Sequence, residues 1–151
     1  MRLFLGAALA LPVAFASLAS ATAAAPTPAV SVSNAWSRPA LPGMSTGVIY
    51  LTVTNHAAKP ISLMGGSTPV AATMGLHRSA MSGGVSTMEM VDEGLEIPAG
   101  GTVKLEPNGY HMMLMGLKGG LKAGTSFPAM LGFGPAGSTK ITVQVRATPP
   151  E

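Results

Sequence analysis

HRSAMSGGVSTMEMVDEGLEIPAGGTVKLEPNGYHMMLM, residues 77–115, is the stretch that decides how this chain is read. Its apolar residues come in short runs, broken by Gly83-Gly84, by the segment from Pro98 to Gly101, and by Asn108-Gly109. Short alternating runs between glycine and proline breaks are strand signals, because successive side chains of a strand point to opposite faces. Asn-Gly between two such runs predicts a hairpin, since a type I′ turn needs positive φ at both central residues. No long helical period interrupts the pattern.

The same reading extends outward. Upstream, VSVSNAW (30–36) alternates and ends in the only tryptophan, and in VIYLTVT (48–54) Ile49, Leu51 and Val53 share one face while Tyr50, Thr52 and Thr54 share the other. ISLMGG (61–66) and the segment from Val70 to Met81 are further strands. Within residues 77–115 the predicted strands are 85–91, 102–106 and 110–115. Downstream, SFPAMLGF (126–133) and TKITVQVR (139–146) close the domain, with Ile141, Val143 and Val145 facing in and Lys140, Thr142, Gln144 and Arg146 facing out. Short strands at even spacing with Gly and Pro turns predict an all-β fold, an antiparallel sandwich or barrel formed by one domain over residues 30–148. Residues 24–29 read as a flexible leader and 149–151 as a tail.

The N-terminus supplies an address. A short cationic start, Met1-Arg2, precedes an apolar run and then small residues, the pattern of a secretory signal over residues 1–23 cleaved after Ala23. Pro12 and the short apolar core argue against a permanent membrane span. The expected location is therefore the periplasm. The chain holds no cysteine, so it offers no thiol for a lipid anchor, and no stable membrane insertion is expected after cleavage. Without Arg2 the remaining 8 basic and 6 acidic residues leave a net charge of only +2. With no basic cluster and few aromatics, a nucleic-acid partner is excluded.

The chemistry lies in residues 77–115. Two of the three histidines, His77 and His111, fall there with Met81, Met88, Met90, Met112, Met113 and Met115, and Met74 stands just before. Imidazole and thioether without thiolate is a ligand set for a soft monovalent metal, above all Cu(I). Alternation lets one strand aim both His111 and Met113 at one ion, with Met112 and Leu114 on the other face. Met88 and Met90 share a face opposite Glu89. If the strands on either side of Gly83-Gly84 pair, His77 and Met88 come near each other, although the sequence does not fix that register. Neutral ligands leave a Cu(I) centre with a single charge, the cheapest to half-bury. Zinc would draw thiolate, carboxylate or more imidazole. Calcium and magnesium need oxygen donors. A blue-copper electron-transfer centre needs the absent cysteine.

His77, ten residues, Met88, and then His111-Met112-Met113 resembles the H-x10-M…H-x-M motif of periplasmic copper chaperones of the PCu(A)C type. GLEIPAGGTVKLEPNGYHMMLMGLK (94–118) is similar to that family's most distinctive segment, and Trp36-Ser37-Arg38-Pro39 is similar to its opening strand. The resemblance implies a cupredoxin-like β-sandwich or barrel that binds Cu(I) through His77, Met88, His111 and Met113. It further implies donation of copper to the binuclear copper site of cytochrome c oxidase, or more general copper handling. The expected acceptor is a cytochrome c oxidase subunit or another copper chaperone, and the protein is expected to be a monomer. Two features depart from the pattern. The gap from Met88 to His111 is one residue longer than usual, at 22, with the extra residue expected in the loop at 92–94; this leaves Met90 as a competitor for Met88. The chain also ends in ATPPE, without a His- and Met-rich tail, so one copper site is expected.

Ordinary roles stand beside these. Met64, Met74, Met112 and Met130 read as core filler, Met44 as filler or a lid, and Met81 and Met115 as unassigned neighbours of the site. His56 reads as a solvated turn residue. Ser82, His77 and Asp92 do not make a hydrolase, since no nucleophile elbow surrounds the serine, and the protein is not expected to be an enzyme. The alternatives to a chaperone are a passive periplasmic copper buffer and a β-sandwich interaction module whose methionines form an apolar contact face.

Overall fold

The computed structural model describes residues 28–151; the signal expected at 1–23 and residues 24–27 of the leader lie outside the described residues. Eleven strands follow in order: β1 (Val30–Ser37), β2 (Thr46–Asn55), β3 (Ile61–Leu63), β4 (Gly65–Ser67), β5 (Ala71–Ser82), β6 (Val85–Met90), β7 (Leu95–Ile97), β8 (Thr102–Leu105), β9 (Tyr110–Leu117), β10 (Ser126–Gly132) and β11 (Ser138–Val145). A single 3₁₀ turn, Gly134–Ala136, is the helical element among the described residues.

Seven strands close on themselves in the order β1-β11-β10-β4-β5-β9-β2, with β2 returning to β1. The β1–β11 pair is parallel, and the other pairs of the ring are antiparallel. The all-β barrel read from the sequence is therefore the fold. Closure covers the strand edges that an open sheet would leave unpaired. Alternation fills the interior as expected: Ile49, Leu51, Val53, Leu76, Met112, Leu114, Leu131 and Val143 are each at most 2% exposed. Each aliphatic side chain so enclosed contributes about 1.5–3 kcal/mol. The small β3–β7 sheet adds Leu63 and Ile97 to the same core. Buried Asn55 fastens the end of β2: its Nδ2 donates to the carbonyls of Lys59 (2.8 Å), Ile97 (3.1 Å) and Pro98 (3.2 Å), and its Oδ1 accepts from the Ala57 amide (2.9 Å).

Three local expectations are corrected. Residues 61–66 are not one strand. The chain breaks at Met64, β3 pairs with β7, and β4 enters the barrel between β10 and β5, with Gly65 turning at φ 147°. The three-residue β7 was too short to carry a period. Met64 and Met130, expected in the core, are 45% and 38% exposed, whereas Met74 and Met112 are buried.

The third correction concerns Asn108-Gly109, which makes no hairpin. β8 and β9 both run antiparallel to β2, one after the other: Leu105 faces Leu51 and Met112 faces Ile49. They are two halves of one strand with an excursion between them. Asn108 has φ 67°, but Gly109 is not left-handed, so the type I′ geometry is absent. The strand cannot fold back because β9 is already flanked by β2 and β5. The excursion turns the Gly109 carbonyl toward β5, where it accepts from the Ser79 amide at 3.0 Å.

Candidate metal centre

Gly83 and Gly84, at φ 57° and 78°, make the two-residue turn between β5 and β6. Left-handed φ at both centres is the type I′ geometry that matches strand twist, and it fixes the register: Ser82 faces Val85, Ser79 faces Met88 and His77 faces Met90. On the other side of β5, His77 faces His111 and Gly75 faces Met113. Directly opposed residues share a face. A row therefore crosses the outer wall of the barrel: Trp36 faces Tyr50 on β1–β2, and His111, His77 and Met90 continue the wall on β9, β5 and β6. The Trp36 and Tyr50 rings lie 5.0 Å apart, Tyr50 and His111 6.4 Å, and His77 and His111 6.1 Å. Two imidazoles at that separation can share one ion, since metal–imidazole bonds are about 2 Å long.

Although the two histidines stand on the outer wall, they are nearly enclosed, at 8% (His77) and 2% (His111) exposure. The Nε2 atoms of both are buried and have no hydrogen-bond partner. A buried polar atom without a partner costs about 1–3 kcal/mol, so such pairs are rare in a finished core. His111 Nδ1 lies 3.1 Å from the Gly109 carbonyl. A carbonyl only accepts, so Nδ1 carries the proton and Nε2 of the neutral ring is left with its lone pair free. Fixing the far nitrogen in this way is how metal-binding imidazoles are oriented. Burial lowers the His77 pKa below its ordinary value, the neighbouring His111 lowers it further, and Asp92 partly opposes them. The neutral form of His77, the one that ligates, is thereby favoured.

Gly75 clears the floor beside the pair. A Cβ there would lie 3.6 Å from His77 Nε2 and 4.0 Å from the Met115 methyl. Met113 and Met115, both half-buried, follow His111 on the same face of β9, while Met88 and Met90 stand on β6, each 52% exposed. The four sequence-predicted residues thus lie on one face, in adjacent rows of three neighbouring strands. Met90 occupies the position directly opposite His77, and Met88 is one row further out. No group of three or more His, Cys, Asp or Glu among the described residues could hold a metal; the further donors beside the histidines are the thioethers on the same face. On the opposite face of the hairpin, Arg78 pairs with Glu89. Ser82 is five residues along β5 from His77 and on its other face, which removes the hydrolase triad. Met44 accepts from the Leu41 amide through Sδ at 3.3 Å and lines an apolar hollow with Pro39, Pro42 and Leu121, apart from the histidines. His56 bonds Ser31 at 2.7 Å in an exposed turn.

Sequence reasoning overlooked Gly75 and the Gly109 carbonyl. The first had a signal, two residues before His77 and so on its face. The second became visible only with the excursion between β8 and β9.

A putative lipoprotein of Leifsonia xyli subsp. xyli is 34% identical over 117 residues, spanning 78% of this chain and 69% of its own. The solution structure of Cu(I)-DR1885 from Deinococcus radiodurans is 32% identical, with a TM-score of 0.61 over 85% of this chain and 84% of that one. The apo form of DR1885 is 31% identical with a TM-score of 0.60 over 97% of both chains. A copper-bound PCuAC domain from PmoF2 shares the fold at a TM-score of 0.66, covering 80% of this chain and 94% of that one at 22% identity. The family described as "Putative lipoprotein LpqE-like" matches residues 30–145. The whole barrel falls within that match, and the chain belongs to the LpqE-like family, with a fold of the PCu(A)C type.

Proposed function

We propose that this protein binds Cu(I) through His77, Met88, His111 and Met113 outside the cytoplasmic membrane, in the periplasm, and passes it to an acceptor protein. The observation that carries the reading is the pair of buried, unpartnered Nε2 atoms on facing positions of β5 and β9. Cu(I) bound by the similar DR1885 supports it, as does the signal pattern at residues 1–23. Relatives named as lipoproteins fit export as well, although this sequence has no cysteine to acylate.

The chemistry follows from the donors. His77 and His111 give strong, directional nitrogen ligands, pre-oriented by burial and by the Gly109 carbonyl. Met113 and Met88 give neutral thioethers that stabilise the soft monovalent ion without adding charge. Thioethers leave stepwise, so an acceptor can replace the exposed hairpin methionine first and the buried histidines last. No electron moves and no covalent bond of the protein changes, so the activity is transport rather than catalysis. The acceptor class is a copper protein with its own soft ligands, such as the binuclear copper site of a cytochrome c oxidase subunit or another copper chaperone. A passive copper buffer would use the same donors without an acceptor.

Competition of the purified protein against a Cu(I) chelator tests the reading. His111→Ala and Met113→Leu should each weaken Cu(I) binding about tenfold or more while the β-sheet circular dichroism is kept. Unchanged affinity in both variants would refute the assignment.

A further inference from the structure

The face that carries the histidines holds more soft donors than one ion can use. His77, His111, Met113, Met115, Met90, Met88 and Met81 all project from it. Together they are two imidazoles and five thioethers, against about four donors in a tetrahedral site. The surplus lies at the hairpin. Every residue of β6 is exposed, Met81 is 69% exposed, and Met88 and Met90 are 52% exposed. No core packing explains three large apolar side chains there.

We propose that Met81, Met88 and Met90 form a second, thioether-only Cu(I) position on the β5–β6 hairpin, through which the ion enters and leaves the inner centre. This rests on the copper reading above. Met88 faces Ser79, Met81 faces Ser86 and Met90 faces His77, so Met81 and Met88 are diagonal neighbours about 7–8 Å apart at Cα. Met88 and Met90 are two residues apart on one strand, about 7 Å. Three rotatable bonds let each thioether swing over that span. The intervening positions, Ser79 and Ser86, are small, and the charged pair Arg78–Glu89 is on the opposite face. Arg78 therefore does not repel an ion at this position, and Glu89 does not recruit a harder one. Met88 and Met90 border both positions, so copper can exchange ligands one at a time without becoming free.

The test is an anaerobic Cu(I) titration of the full-length mature protein carrying methyl-labelled methionine, followed by NMR, in wild type and Met81→Leu. Met81 is outside the four proposed inner ligands, and its exposure makes the substitution safe for folding. The first equivalent should move the Met88 and Met113 methyls. A second, weaker equivalent should move Met81 and Met90, and shift Met88 again, but not Met44, which is exposed and lies apart from the histidines. Met81→Leu should weaken that second equivalent about tenfold and leave the first within about twofold. A first equivalent with no second, a second indifferent to Met81→Leu, or one that moves Met44 equally would overturn the hairpin position alone. Absence of the first equivalent would overturn the copper reading with it.

Discussion

Replacing His77 with leucine should make the apo protein more stable and the copper site useless. His77 is 8% exposed and its Nε2 has no partner. Leaving such an atom buried costs about 1–3 kcal/mol, and an aliphatic side chain removes that cost. Leucine is not isosteric with imidazole, and repacking returns some of the gain. The net expectation is about 1–2 kcal/mol, or a Tm rise of roughly 4–8 °C for a domain of this size. The pH dependence should change as well. The folded-state pKa of His77 lies below its unfolded value because of burial and His111. The unfolded chain therefore takes up a proton first as the medium is acidified. Stability is full above about pH 6.5 and falls as the pH drops from there toward the folded pKa. That acid-side loss should shrink in His77→Leu. Copper affinity should fall about a hundredfold or more, since even an outer-shell change costs 10–100-fold. Differential scanning calorimetry of the apo proteins between pH 5 and 8, paired with Cu(I) competition, reads all three. A Tm that falls in His77→Leu, with Cu(I) affinity intact, would refute the argument that this histidine is held ready for a metal at a cost to stability.

Other expectations are as direct. Met88→Leu and Met90→Leu, compared by Cu(I) competition, separate the two hairpin thioethers: Met88→Leu should weaken the tight equivalent about tenfold, and a loss confined to Met90→Leu would move the ligand one row inward. Gly75→Val should leave the fold intact, because a Cβ there meets only ordinary contacts at 3.6–4.0 Å, but its methyl groups should crowd the His77 ring and lower Cu(I) affinity about tenfold, as titration with calorimetry would show. Asn55→Ala leaves the Ile97 carbonyl and the Ala57 amide unpaired in a buried corner and should cost about 2–4 kcal/mol in urea denaturation without changing copper affinity. Acidification should weaken Cu(I) binding as protons compete for imidazole, and the lowered His77 pKa should move that competition toward lower pH.

Much of this fold is legible in the chain because alternation is strict where one face is buried. Ile49, Leu51, Val53, Val143 and Val145 fall inside as their period requires. What escaped was set by partners rather than by pattern. The excursion at Asn108 reads locally as a hairpin, yet β9 lies between β5 and β2 and continues the line of β8. Residues 61–66 look like one strand because Leu63 and Met64 are apolar, but Gly65 redirects the chain. Residue type alone favours the core for Met64 and Met130, yet both are exposed, because residue type says little for so adaptable a side chain. At the site, the resemblance named four residues and alternation placed His111 with Met113. The register opposing His77 to Met90 depended on the length of the Gly83-Gly84 turn, and the hydrogen bond that orients His111 depended on a backbone carbonyl that no sequence motif announces.

The central claim is that the paired Nε2 atoms and the neighbouring thioethers hold one Cu(I). X-ray absorption on protein loaded anaerobically with one equivalent tests it most directly. The account predicts an edge typical of Cu(I) and a first shell of two nitrogens with sulfur scatterers, in which the nitrogen contribution is halved in His111→Ala. A shell of nitrogen and oxygen alone, or a spectrum unchanged by His111→Ala, would contradict it.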